Sequence, residues 1–447
     1  MANPLVSMFR IKELRERLFF TFSMLVVYRI GAFIPIPGVN AHVLNSYFDS
    51  LRGQGQGRTA LIDHLDLFVG GAFSNFAVFM LGIMPYISMS IIMQLLLIVF
   101  PKLKKISQEE GGKKKIQKYQ RYGTVVVCLV QSAAVTQYAQ SISRQVDNLL
   151  SINIVPFTVL AMLTVTTGTM FLVWIGEQIT KRGVGNGISL LIFAGIVARL
   201  PAALIELFER VRMGDLNLVF VVVIFAMFVA VVTLVVYEQQ GQRKIPVNYA
   251  KRIVGRRMYG GAPNAFIPFK INPSGVIPVI FASSIIIFPL QIAGTLGDRI
   301  VWLNAVSRAL TPNGTLYNIL FVLMIVFFAY FYTQVSLNPI EIAKNIREHG
   351  GSIPGIRSEK LEEYLTRILN RIVLPGSLYL ASIAIMPTII LYFIQGFPVS
   401  LAHLMGGTSL LIMVGVDLDT MSQIEGHLKM HHQEGLTKKG RLRGRNL

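Results

Sequence analysis

The sequence predicts an all-α integral membrane protein of about ten transmembrane helices. Three observations carry this. The 447 residues are 53% hydrophobic and only 15% charged, with a mean hydropathy of +0.56, whereas an ordinary soluble domain is roughly a quarter charged. Ten apolar runs approach the roughly 20 residues a helix needs to cross a hydrocarbon core of about 30 Å. The basic residues are also shared unevenly among the loops between those runs, as the positive-inside rule requires of a multi-span chain.

The runs are about 18–34, 75–99, 122–141, 152–176, 186–206, 216–237, 275–295, 316–337, 372–394 and 400–422. The fifth is the weakest, because Arg199 and Pro201 interrupt it. Of the 42 Lys and Arg, 33 fall on the side that holds both ends of the chain, 7 fall on the other, and Arg29 and Arg199 lie inside the first and fifth runs. Both termini are therefore expected in the cytoplasm. An odd number of spans would scramble this asymmetry.

Four basic residues, Arg10, Lys12, Arg15 and Arg17, precede the first run, and no small-residue cleavage site follows it. The run reads as a span and not as a cleavable signal. Within residues 1–17, Leu5, Val6, Met8, Phe9, Ile11 and Leu14 are spaced to form an apolar face, as in a short helix lying on the membrane. Cys128 is the single cysteine and sits in an apolar run. It reads as a small buried hydrophobe and permits no internal disulfide and no cysteine-based metal site.

Residues 60–74, before the second run, are about half a span long and carry Asp63, Asp66 and the pair Gly70–Gly71. The segment is too short and polar to cross. It is either an amphipathic surface loop or a short re-entrant helix lining a water-filled cavity, the only setting in which irregular backbone sits at membrane depth. The glycine-rich stretch Gly53–Gly57 before it suits a flexible tether.

The spans lack the mid-membrane ionisable residues of a pump or transporter. Arg29 is close enough to an interface to snorkel. Glu177 ends the fourth run, and Asp417 and Asp419 lie near the end of the tenth. No Walker A, His-Glu-x-x-His or Gly-x-Ser-x-Gly pattern is present. The glycines of Gly183–Gly187 follow a span and not a strand, so they suit a tight turn with Asn186 capping the next helix better than a nucleotide loop. No cofactor or metal is expected, and an energy source must come from a partner.

Isoleucines recur at helical spacing, Ile83 with Ile87 and Ile188 with Ile192, so each pair shares a helix face. Lipid or core contact and a hydrophobic constriction are both compatible with that spacing. Two long basic loops, 238–274 and 338–371, fall on the cytoplasmic side. Topology alone does not need loops of that length, and their charge suits an acidic or nucleic-acid partner such as ribosomal RNA.

Several motifs are familiar together. They are Arg29-Ile30-Gly31 with Ile34-Pro35-Ile36-Pro37-Gly38, Leu81-Gly82-Ile83-Met84-Pro85-Tyr86-Ile87-Ser88, Gly176-Glu177-Gln178-Ile179-Thr180 with Gly185-Asn186-Gly187-Ile188-Ser189, Gly275-Val276-Ile277-Pro278, Gly355-Ile356-Arg357 and Gly406-Gly407-Thr408-Ser409. In this order, over nearly the whole length, the chain resembles the SecY/Sec61-alpha family of protein-conducting channels. It departs in carrying Ser358-Glu359 where that family usually has Pro-Gly, and Met89 where a small residue is more usual.

The resemblance implies two inverted five-helix halves, 18–206 and 207–422, followed by a basic cytoplasmic tail, 423–447. It implies an aliphatic pore ring of Ile83, Ile87, Ile188, Ile192, Ile280 and Ile412. It implies a plug in the 60–74 segment, with Leu65, Asp66, Leu67, Phe68, Val69 and Gly70 at its heart. Ser88, Gln94, Ser283 and Ser284 would stand on the helices of a lateral gate, where ordinary helix packing is the competing role. Arg243, Lys244, Arg256, Arg257 and Arg357 would dock the ribosome and the motor ATPase SecA. SecE and SecG subunits, signal peptides and translocating polypeptides would be the other partners, in a bacterial plasma (inner) membrane. On span count alone, a secondary transporter and an intramembrane enzyme remain rivals; the first lacks a midplane substrate site and the second a catalytic pair.

Overall fold

The computed structural model describes residues 11–439, apart from 45, 48–65, 67, 145, 147, 215–216, 250–251, 255–256, 260–265, 297–309, 311–313, 395–396 and 398. The start of the proposed interfacial helix, the Gly53–Gly57 tether, residues 60–65, Leu67 and Arg256 lie outside the described residues. A helix falls on every predicted span. In chain order the helices are α1 (Lys12–Gly31), α2 (Met84–Val99), α3 (Pro101–Gln108), α4 (Gly112–Ser143), α5 (Ile154–Arg182), α6 (Gly187–Val197), α7 (Leu200–Met213), α8 (Leu218–Gln240), α9 (Ile277–Leu296), α10 (Thr315–Ser336), α11 (Pro339–Glu348), α12 (Leu361–Phe393), α13 (Val399–Met405) and α14 (Gly407–Lys439). Among the described residues, five stretches are long and apolar enough to cross a bilayer by themselves: Ile154–Arg182, Gly187–Met213, Val219–Gln240, Thr315–Glu348 and Ser358–Phe393.

One predicted span is corrected. The run 75–99 is helical only from Met84. Pro85 fits the first helical turn, where its missing N–H is no loss. Gly70, Gly71 and Gly82 before it have positive φ, a conformation that interrupts a right-handed helix. The turns of 70–83 bond within themselves and also to the chain before them. Ile36 N–H donates to the Phe76 carbonyl at 2.8 Å, and Val78 N–H donates to the Ile34 carbonyl at 2.9 Å, so the Pro35 stretch clamps this segment. At its other end α2 meets α3 at a bend of 103°, where Pro101 opens the new helix. The run 186–206 falls within Gly187–Met213, one of the stretches able to cross, with a two-residue interruption of its helix. α6 ends at Val197, α7 starts at Leu200, and Arg199 lies in the break.

The chain divides into two compact units, Met1–Leu204 with Ile412–Leu447, and Ile205–Leu411. In the first, α5 packs against α1, α4 and α6, and α4 also packs against α2. Leu14 is buried with Val184 and Ile424, so this part of the N-terminal apolar face is covered by protein. Asn186 caps α6, its side chain accepting the Ile188 N–H at 3.2 Å, as the sequence predicts. Cys128 is buried. In the second unit, α10 packs between α9 and α12. The outer face of α8 exposes Phe220, Val222, Val223 and Phe225, an apolar stripe suited to lipid.

Candidate functional site

The six isoleucines occupy the starts of four helices. Ile83 is the N-cap of α2 and Ile87 follows one turn later. Ile188 and Ile192 lie in the first two turns of α6, Ile280 in the first turn of α9 and Ile412 in the second of α14. Ile83, Ile87, Ile192 and Ile412 are buried, and Ile188 and Ile280 are half-buried. Ile188 packs on Gly176 of α5, where an added Cβ would stand 3.2 Å from its Cγ1. Ile280 belongs to the second unit and the other five to the first.

Asp66, Phe68 and Val69 are helical, and turns follow from Gly70. Asp66 is fully buried. Its carboxylate accepts the Phe73 N–H at 3.0 Å and the Ser74 N–H at 3.2 Å, together with the Ser74 hydroxyl. It also pairs with Arg199, the residue in the break between α6 and α7. Two residues of α1 hold the same segment. Arg29 donates to the Gly70 carbonyl at 2.6 Å, and the Tyr28 hydroxyl donates to the Val69 carbonyl at 3.2 Å. Arg29 therefore turns to the segment's backbone and stacks over Phe33 at 4.5 Å, where snorkelling was expected. Gly70 and Gly195 touch so closely that a Cβ on Gly70 would lie 2.9 Å from the Gly195 Cα.

The polar residues of the proposed gate differ in their satisfaction. Ser283 is buried and donates to the Ile280 carbonyl at 2.9 Å, a local helix bond. The Ser284 hydroxyl and the Gln94 Oε1 are buried without a hydrogen-bond partner among the described residues. Ser88 is half-buried on α2.

The two basic loops share one small core. Strands β1 (Gln242–Pro246) and β5 (Phe266–Lys270) pair antiparallel, with Arg243 opposite Phe269 and Lys244 opposite Pro268. Strand β2 (Asn248–Tyr249) pairs with β6 (Gly351–Ser352), joining one loop to the other. Beneath them Ile245, Val247 and Phe269 of the first loop pack with Ala343, Ile346, Ile353, Leu361 and Leu365 of the second. Along β1 Ile245 is buried, while Arg243 and Lys244 are exposed, with Lys244 over the Phe266 ring at 4.8 Å. Strands β3 (Arg252–Val254) and β4 (Arg257–Tyr259) form a hairpin, and Arg257 opens its return strand opposite Val254. Arg357 is exposed just before a single 3₁₀ turn, Ser358–Lys360.

The sequence pattern of the SecY family matches residues 77–421. The chain belongs to the SecY family. A protein translocase subunit SecY of Vibrio cholerae is 42% identical over 441 residues, which cover 97% of this chain and 96% of that one. Two solved structures share the fold. One is a SecY whose plug domain is described as stabilising the closed state of the translocation channel and maintaining a membrane seal; it is 19% identical, with a TM-score of 0.61 and 93% and 92% of the chains covered. The other is Sec61 in the canine ribosome–channel complex from the endoplasmic reticulum, 17% identical, with a TM-score of 0.59 and the same coverage. This SecY-family chain is thus a channel subunit of a protein translocase, a multi-span membrane component and not an enzyme. The transporter reading receives no support.

Two contacts of this SecY-family chain escaped the sequence reading. One is the Asp66–Arg199 pair. The other is a fork in which Arg121 donates to both carboxylate oxygens of Glu177, at 2.9 and 2.6 Å, with Lys181 at 3.6 Å from the same group. Their only signal was a charge in an otherwise apolar setting, which announces a partner without saying where it is.

Proposed function

We propose that this chain forms the path by which secretory polypeptides cross a bacterial plasma membrane and by which signal sequences and membrane-protein helices leave sideways into lipid. Ten spans in two inverted halves, with both termini cytoplasmic, would enclose the path. The observation that carries the reading is the placement of the six isoleucines: all lie near the starts of four different helices and none is exposed, while Val126, Val155, Val222 and similar side chains face outward. An aliphatic ring offers no strong hydrogen bonds, so varied side chains pass without sticking, and it excludes water and ions when closed. Residues 60–74 act as the plug of the closed channel. The helices carrying Ser88, Gln94, Ser283 and Ser284 part to admit a signal sequence, their polar contacts each contributing only about 0.6–2 kcal/mol in a membrane.

The shared core of the two loops supports a docking platform. Arg243, Lys244, Arg256, Arg257 and Arg357 present charge for ribosomal RNA and for SecA, with SecE and SecG completing the complex. The Sec61 relative seen with a ribosome makes the ribosome the better supported of these partners. The test is ionic conductance of the purified complex in a planar bilayer without a precursor. Ile87→Asn with Ile192→Asn should wet the constriction and raise resting conductance at least tenfold, while Val222→Asn on the outer face should not. Equal conductance in all three would refute the ring.

A further inference from the structure

We propose that the ion pair between buried Asp66 and half-buried Arg199 is the latch that sets the resting position of the plug, so that the plug leaves its seat only when this pair parts. The inference rests on the plug reading of residues 60–74 and adds to it the contact that holds the segment.

Arg199 is the only charged residue between Arg182 and Glu206. A guanidinium inside an apolar span is expensive, so such residues face a protein partner or water. Here the helix stops for two residues around Arg199, and the side chain meets Asp66 from the plug segment. The carboxylate is committed on every side. It closes its own turn through the Phe73 and Ser74 N–H groups and the Ser74 hydroxyl, and Arg199 then ties that turn to the break between α6 and α7. The pair thus folds the segment and fixes where it sits.

The neighbouring contacts are of a weaker kind. Arg29 and Tyr28 donate to the backbone carbonyls of Gly70 and Val69, which water entering a displaced seat would also satisfy. Gly70 against Gly195 gives close backbone approach but no directional bond. The ion pair differs because removing Arg199 leaves the fully buried Asp66 carboxylate without its counter-charge. With both partners neutral, that penalty disappears but the tie is lost. Charge-assisted contacts of this sort shift a two-state equilibrium by roughly 10- to 100-fold.

The experiment measures how often the seat empties. Val69 is buried in the resting segment, and Cys128 is the only native cysteine. In a Cys128→Ser background, Val69→Cys is placed in the complete complex in vesicles and labelled from outside with a membrane-impermeant maleimide. Asp66→Asn keeps Oδ1 for the Phe73 and Ser74 N–H groups and replaces the charged Oδ2, which takes the Ser74 hydroxyl and Arg199, with an amide NH2. Asp66→Asn and Arg199→Gln should each speed resting labelling about 10- to 100-fold. The double variant should be no faster than the quicker single, and Arg199→Lys should restore most of the protection. If Arg199→Gln fails to assemble because it leaves the buried Asp66 carboxylate alone, the double variant carries the test and should still label faster than the parent. The latch is overturned if the single effects multiply in the double variant, or if neither substitution changes the rate while an engaged precursor does. If an engaged precursor leaves labelling of the parent unchanged, the plug reading falls instead.

Discussion

Leu365→Ala should loosen both basic loops at once. Leu365 lies in the second turn of α12 and is fully buried among side chains of both loops. Truncating such a leucine removes apolar contact and leaves a cavity, at a cost of about 3 kcal/mol within a usual range of about 2–5. The backbone link between the loops is only two residue pairs, Asn248 with Ser352 and Tyr249 with Gly351, so side-chain packing is their main tie. If the cost falls on local opening of this subdomain, the opening constant rises about 150-fold. Hydrogen–deuterium exchange of the complete complex reads this at the amides of β1 and β5. Protection there should fall by about two orders of magnitude, and Ile340→Ala, at an exposed position, should leave it unchanged. Protection within threefold of the parent, with Leu365→Ala fully folded, would refute a shared core.

Two further predictions concern the first unit. Arg121→Ala should destabilise the complex by about 1 kcal/mol, the upper range for a partly exposed pair with good geometry, and Arg121→Lys should recover less than half because an ammonium cannot make the fork; a double-mutant cycle with Glu177→Gln checks this, and zero coupling would refute it. Asn186→Ala should cost about 1 kcal/mol through loss of the α6 cap, and Asn186→Ser should restore most of it; equal melting temperatures for all three chains would show that the cap contributes nothing.

Much of the architecture was legible because lipid imposes simple rules. A span must be long and apolar, so a helix falls on each predicted run, and five stretches among the described residues are long and apolar enough to cross alone. Local signals also carried: Asn186 before a helical run read as a cap and became one. What failed was contact between distant segments. The run 75–99 looked like one span because its apolar residues are buried in turns as readily as in helix; only Pro85 and the preceding glycines marked the true start. Arg199 and Pro201 flagged the interruption in the fifth run, yet nothing local pairs residue 199 with residue 66. The loops read as two basic stretches, whereas Ile245, Ile346 and Leu365 bind them together. Periodicity reports that a residue is buried, not what buries it.

The most direct test of the account is a crosslink in the proposed ring. In a Cys128→Ser chain, Ile87→Cys is combined with a secretory precursor that carries one mid-chain cysteine and is stalled during export. A disulfide that forms only with the translocating precursor is the predicted result. Failure to form it, with ready labelling of the same site by a lipid-soluble thiol reagent, would place Ile87 against lipid and contradict the pore.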